Sequence, residues 1–137
     1  MKILDKAVPH VHWLLRIALA SVFLYHGLLK FPVLSEMAQM MKMPVAVVTM
    51  VALFETVGAL LVLLGGFLKD WMTRIGALLN CPVMLGAIFM VHWGQWSFMP
   101  SETHPVGGIE FQTVLLFIAL YLVVKGNNVK LGKTVSD

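Results

Sequence analysis

Charged residues and cysteine are both scarce in this sequence, and each scarcity excludes a class of protein. Asp, Glu, Lys and Arg make up 12% of the 137 residues and hydrophobic residues make up 59%, whereas a soluble domain has about 25% and about 45–50%. These polar residues are too few to cover the surface of a soluble domain of this size. The chain is therefore predicted to lie in a membrane. The single cysteine, Cys81, excludes an internal disulfide and a cysteine cluster for zinc or iron–sulfur.

Recognisable catalytic motifs are also missing from the sequence. It contains no phosphate-binding loop, no dinucleotide fingerprint and no pattern typical of a Ser-His-Asp triad. A net charge of +3 would suggest nucleic acid as the partner of a soluble protein. Here the basic residues are better interpreted as topology signals at the ends of membrane segments, so the expected partner is the lipid bilayer and not nucleic acid.

Four apolar segments are each about as long as the roughly 20 residues that cross a bilayer. They predict an all-α fold, an antiparallel bundle of four transmembrane helices that forms one domain over residues 1–137. The predicted helices cover residues 11–29, 45–67, 75–91 and 108–124. The first is interpreted as a retained membrane helix and not as a signal peptide, because Arg16 interrupts the apolar run and no small-residue cleavage site ends it.

The distribution of Lys and Arg predicts the orientation of the bundle. The first and third connections contain only Lys30 and Lys42. The two tails and the second connection contain seven basic residues, namely Lys2, Lys6, Lys69, Arg74, Lys125, Lys130 and Lys133. Because Lys and Arg accumulate in cytoplasmic loops, both termini are predicted to be cytoplasmic.

Two ionisable residues are predicted to lie deep in the membrane. At 1.5 Å of rise per residue, Arg16 is roughly 20 Å and Glu55 roughly 16 Å from the outer ends of the first and second helices. Each charge would be unfavourable without a partner, so the two are predicted to form a buried ion pair. The pair would either fix the helix register or form the polar floor of a ligand site.

Four more polar residues, His26, Lys30, His92 and Glu110, are predicted near the outer ends of the first, third and fourth helices. His26 and Lys30 are four residues apart and therefore share a helix face. Together the four residues predict an outward-facing polar pocket in which His26 and Glu110 handle protons. The alternative is that Lys30 extends to the interface, His92 caps its helix and Glu110 favours the positive end of its helix.

Methionines are concentrated in the first connection, which contains Met37, Met40, Met41 and Met43. Thioethers are soft ligands that suit Cu(I), so an outer copper site is one interpretation. The other interpretation is that these side chains fill an amphipathic surface.

Three motifs, taken in order, resemble those of the DoxX-like membrane proteins, and the resemblance extends from about Leu14 to Gly126. The first helix contributes Arg16, Phe23, Gly27 and Lys30, with His26 beside the glycine. The second motif is FETVGALLVLLGG at residues 54–66, and the third is GGIEF at residues 107–111. Gly126-Asn127-Asn128 and Ser136-Asp137 resemble a looser version of the glycine-rich stretch and Asp that commonly close the family's sequences.

The resemblance implies a four-helix protein of the bacterial inner membrane. Some relatives are described as the membrane subunit of a thiosulfate–quinone oxidoreductase and others as partners of oxidative-stress enzymes, and the family has no single agreed reaction. The leading hypothesis is a membrane subunit or accessory protein of a quinone-linked redox system that binds a small lipophilic molecule. In it, His26 and Glu110 are catalytic, and the ligand-binding residues are Arg16, Lys30, Glu55 and His92.

Two other functions fit the sequence. One is metal handling, with copper bound at the extracytoplasmic face. The other is a structural scaffold for a homo-oligomer or for a partner redox protein. A chain this short cannot carry two electrons far without a partner's cofactor, so a stand-alone enzyme is not expected.

Overall fold

The computed structural model describes residues 6–128, and every regular element in that range is helical. The helices are α1 (His12–Lys30), α2 (Leu34–Met41), α3 (Val45–Phe67), α4 (Asp70–Gly86) and α5 (Glu110–Lys125). Short 3-10 turns at Val8–His10 and Phe31–Val33 flank α1, and a π-helical turn at Ala87–Val91 extends α4. The prediction of an all-helical chain is confirmed for these residues.

Three helical stretches are long and apolar enough to cross a membrane. They cover Val8–Met41 with 34 residues, Val45–Phe67 with 23 and Asp70–Val91 with 22. The last helix, α5, has 16 residues, which is about 24 Å of helix against a hydrocarbon core of about 30 Å. By length and composition the chain is therefore an integral membrane protein, with three helices that are able to span the bilayer and a shorter fourth.

Consecutive long helices pack antiparallel, as the close approaches at their glycines show. Gly27 of α1 faces Glu55 and Thr56 of α3, and Gly66, nearer the other end of α3, faces Trp13 of α1. Between α3 and α4, Gly58 lies against Gly76 and Asn80. The buried core of this bundle contains apolar side chains from α1, α3, α4 and α5, among them Leu19, Phe23, Val62, Ala77, Leu115 and Leu122.

The first connection is mostly helical. The chain passes from Lys30 through the 3-10 turn directly into α2, which packs on α3. Lys42 then ends α2 in the left-handed conformation, with φ of 53°. The helical path that starts at Val8 therefore reaches Met41, well beyond the predicted end at residue 29.

Two helix starts differ from the prediction. Helix α4 begins at Asp70 instead of residue 75, because Asp70 accepts a hydrogen bond from Arg74 one turn later and its charge suits the positive end of the helix. Helix α5 begins at Glu110 instead of residue 108. Gly107 has a φ of 76°, which a helix does not allow, and the Gly108 N–H donates to the carbonyl of Ser97.

One fully buried side chain, that of Arg16, joins the helices at one end of the bundle, called here the Arg16 end. Its Nη1 donates to the Val62 carbonyl and to Thr73 Oγ1, both at 2.7 Å. Its Nη2 donates to Asn127 Oδ1 at 2.7 Å, and its Nε donates to His12 at 2.9 Å. The guanidinium thus ties α1 to α3, to α4 and to the end of α5.

Asn127 completes this cluster. Its Nδ2 donates to the carbonyl of Gly65 at 2.7 Å, and its backbone N–H donates to Asp70 at 2.5 Å. Gly126 holds the preceding turn with a φ of 58°, and a Cβ there would collide with Asp70 and Arg74. Ser136 and Asp137, also compared with the family's closing stretch, lie outside the described residues.

Replacing Arg16 with Met should lower the free energy of unfolding on the order of 3 kcal/mol, because several buried acceptors lose their donor at once. Thermal unfolding in detergent measures the effect. Ser21→Ala is the matched control, since Ser21 is exposed on the same helix and donates only locally to the Ala18 carbonyl. Equal melting temperatures for Arg16→Met and the control would contradict the role of this cluster.

Candidate functional site

A largely buried ion pair joins α1 to α3 at the opposite end of the bundle, called here the Lys30 end. Lys30 Nζ lies 2.5 Å from Glu55 Oε2, and the two side chains are 16% and 5% exposed. Lys30 also donates to the backbone carbonyl of His26 at 3.2 Å. A Cβ on Gly27 would lie 3.0 Å from Glu55 Cβ, so the absence of a side chain there lets the two helices come close enough for this pairing.

Glu55 therefore pairs with Lys30, and the predicted ion pair between Arg16 and Glu55 is wrong. The prediction takes residue 29 as the outer end of the first helix, whereas the helical path continues to Met41. In the register that results, Gly27 is level with Glu55, and Arg16 is level with Gly66. Arg16 thus meets α3 about 16 Å further along the helix, at 1.5 Å per residue.

The Lys30 end encloses a cavity of about 170 Å³, called here the polar cavity. Five polar residues line it: His26, Lys30, Glu55, His92 and Gln112. Its apolar walls include Phe23, Met84 and Leu115. Four of the predicted site residues are thus brought together, and they come from α1, α3 and the segment after α4.

His92 is held by one hydrogen bond of its backbone and one of its ring. The backbone N–H of His92 donates to the carbonyl of Ala87, five residues earlier, which is the hydrogen bond of a π turn. Its Nδ1 lies 3.0 Å from the carbonyl oxygen of Gly107. A carbonyl only accepts, so Nδ1 carries a proton in that contact, and Nε2 is the ring nitrogen that has no hydrogen bond within residues 6–128.

Gln112 also lines the cavity; the sequence marks it only as a polar neighbour of Glu110 near the start of the last helix. Its Oε1 is buried and has no hydrogen-bond partner among residues 6–128. Leaving a buried amide oxygen unpaired costs about 1–3 kcal/mol, so this position calls for a water or ligand donor. Helical spacing is the sequence signal that separates Gln112 from Glu110. Gln112 comes two residues later and so lies about 200° around the helix, and the two side chains face opposite sides.

Glu110 is not among the residues that line the polar cavity, so the structure does not bring it together with His26 there. Its Oε2 accepts a hydrogen bond from the backbone N–H of Phe98 at 3.2 Å, and its own N–H donates to the carbonyl of Trp96. Glu110 therefore fastens the connection between α4 and α5 to the start of α5. His26 does line the cavity, but it is largely exposed and its ring meets Tyr25 edge-on.

Metal ligands were the second interpretation of the outer residues. Within the part of the chain that the structure describes, no three His, Cys, Asp or Glu residues are grouped so that they could hold a metal ion. Met41 and Met43 line a largely apolar cavity between α2, α3 and α4. Cys81 is buried, and its thiol lies 3.4 Å from the carbonyl of Ala77, as expected of a packing residue.

The family model of DoxX matches residues 11–93 of the chain, which is more than half of it. The chain belongs to the DoxX family. This confirms the resemblance found in the sequence, and the matched range includes His26, Lys30, Glu55 and His92. Glu110 and Gln112 lie beyond the match. No curated protein and no solved structure matches the chain significantly.

A double-mutant cycle should show that Glu55 is coupled to Lys30 and not to Arg16. Lys30→Met and Glu55→Gln should each lower the free energy of unfolding by about 3–5 kcal/mol, because each leaves a buried partner uncompensated. The double variant should recover part of that loss. Arg16→Met combined with Glu55→Gln should instead be additive within about 0.5 kcal/mol, since the sites are far apart. Coupling of Glu55 to Arg16 in unfolding measurements would overturn the register described above.

Proposed function

We propose that this DoxX protein is a membrane subunit or accessory protein of a quinone-linked redox system and that it binds the head group of a small lipophilic molecule in the polar cavity. The observation that carries the proposal is the convergence of five polar side chains on one cavity in a bundle of apolar helices. Ionisable groups in a membrane interior are unfavourable unless they are paired or hydrated, and where they occur they mark ligand sites and proton paths. By contrast, the Arg16 cluster has its hydrogen bonds made within the protein and is assigned a structural role.

The lining suits a carbonyl-bearing head group such as a quinone. The Lys30 ammonium uses two of its three donors on Glu55 and the His26 carbonyl, and the third remains for a ligand oxygen. Reduction of a quinone to a quinol takes up two electrons and two protons. Histidine is the side chain best suited to deliver protons near neutral pH, and we assign that role to His92 through Nε2, with His26 at the rim.

The electrons in this scheme come from a reduced cofactor of a partner redox protein. We therefore propose a subunit and not a stand-alone enzyme. The same geometry supports binding without catalysis, in which the protein holds the molecule for a partner. Both versions place the head group in the same cavity, so the ligand-binding measurement below addresses both.

We further propose that α5 is the fourth span, that both termini face the cytoplasm, and that the membrane is the bacterial inner membrane. Support comes from the basic residues, because Lys69, Arg74 and Lys125 all lie at the Arg16 end. Antiparallel packing of α5 on α4 carries the chain back to that end, where Arg74 donates to the carbonyls of Val123 and Val124.

Substituting His92 with Gln should weaken binding of a benzoquinone probe by about threefold to tenfold, the value of one hydrogen bond. His26→Gln should have a similar or smaller effect, because His26 lies at the rim. The measurement is titration of the purified protein, with folding checked by its melting temperature. His10→Gln is the control, since His10 is exposed at the other end of the same helical stretch. Binding that is unchanged in both His92→Gln and His26→Gln would contradict the assignment of the cavity.

Cysteine labelling tests the proposed topology in a Cys81→Ala background. Gln39→Cys and Ser101→Cys should react with an impermeant thiol reagent added to intact cells, and Asn128→Cys should react only after lysis. All three positions are exposed in the structure, so burial does not limit the reaction. Labelling of the Asn128 position alone would reverse the orientation, and labelling of Asn128 together with Ser101 would exclude α5 as a span.

A further inference from the structure

A second cavity, of about 350 Å³, lies between α2, α3 and the end of α4. Its lining is almost entirely apolar and contains four methionines, Met41, Met43, Met84 and Met90. We call it the methionine groove. Methionine side chains are unbranched and adapt their shape to what they contact, so this wall suits a flexible apolar chain better than a rigid group.

The methionine groove adjoins the polar cavity. Four residues line both: Lys30, Glu55, Met84 and Ala87. The two cavities therefore share a wall, and the Lys30–Glu55 ion pair lies where the polar lining changes to the apolar one. A molecule that fills both must have a hydrogen-bonding head on one side of the ion pair and an apolar tail on the other.

The groove reaches the lipid-facing surface of the helices. Met90 is 68% exposed and Val91 is 36% exposed, and both belong to a helix that is apolar enough to cross the membrane. The π turn that contains them follows Pro82, which removes one backbone hydrogen bond of α4. Gly86 adds to the opening, since a Cβ placed there would find no other atom within 4 Å.

From this geometry we infer that the ligand is a two-part amphiphile, and that it enters sideways from the bilayer with its tail in the methionine groove and its head in the polar cavity. The inference rests on the proposed function and specifies the class of molecule that the site takes. A neighbouring transmembrane helix is about 10–12 Å across with its side chains and is a poorer fit to a space of this size. A tail that continues from the polar cavity is the occupant that the shared wall favours.

The test compares a benzoquinone ring that has no tail with the same ring carrying a decyl tail. Gly86→Phe should fill the groove without a steric clash at Cβ. It should weaken binding of the tailed probe by about tenfold, the loss expected when roughly two methylene groups are no longer buried. Binding of the tail-less probe should stay nearly unchanged. Leu85→Phe is the matched control, because Leu85 is the adjacent residue, is exposed and lines neither cavity.

The control also accounts for partitioning of the tailed probe into detergent, which affects both variants equally. Unchanged binding of the tailed probe to Gly86→Phe would overturn the groove inference while leaving the polar cavity intact. Failure of the wild-type protein to bind either probe would overturn the proposed function itself. The two failures are therefore distinguishable.

A second measurement needs no variant and applies even where Gly86→Phe does not fold. A decyl-tailed probe with a photoreactive group at the tail end should crosslink to the peptides that contain Met41, Met43 or Met90 in the wild-type protein. An excess of the unmodified tailed probe should suppress that crosslinking. The inference would be overturned if crosslinking were confined to the lipid-exposed side of α1. It would also be overturned if the groove residues crosslinked to a second copy of the chain.

Discussion

The close antiparallel packing of α1 against α3 is the constraint on which the other features depend. Gly27 lets the two backbones approach beside Glu55, and Gly66 accepts the ring of Trp13 near the opposite end of the pair. With contacts fixed at both places, the register cannot shift without a collision. That register brings Lys30 to Glu55 and carries Arg16 to Val62 and Thr73.

The same register separates most of the buried polar groups into two clusters, and Asn80, buried against Gly58, lies between them. At the Arg16 end the guanidinium meets carbonyl, hydroxyl and amide oxygens, so the cluster holds helices together and offers little to a ligand. At the Lys30 end the polar groups surround a cavity, and the amide oxygen of Gln112 is unpaired within residues 6–128. Because an unpaired buried polar group is unfavourable, a ligand or water that donates a hydrogen bond to Gln112 is favoured at the Lys30 end.

Helix content and four of the five polar residues of the polar cavity could be predicted from the sequence, because long apolar runs and the polar residues within them are local signals. The pairing of charges could not. A depth estimate needs the true ends of each helix, and Pro32 suggests an end to α1 where a 3-10 turn carries the helical path onward. An error of that size moves a residue by several turns, so the depth estimate pairs Glu55 with Arg16 although its partner is Lys30.

Residue spacing alone also does not predict which side of the last helix points into the bundle. Apolar residues lie on every side of α5, so no polar face marks which side points inward. The turn at Gly107 moves its start from residue 108 to Glu110, and its packing on α4 sets which side points inward. Gln112 then faces the cavity, and Glu110 faces the connection that it fastens.

Glu110 still bears on the site, through the backbone that it holds. Its carboxylate accepts the N–H of Phe98, and the carbonyl of Phe98 lies so close to Gly107 that a Cβ at Gly107 would collide with it. Gly107 in turn offers its carbonyl to Nδ1 of His92. A chain of contacts therefore connects the Glu110 carboxylate, through Phe98 and Gly107, to the imidazole of His92. A charge outside the cavity thus helps to set the orientation of the histidine inside it, which accounts for a carboxylate at the start of α5 without placing it against the ligand.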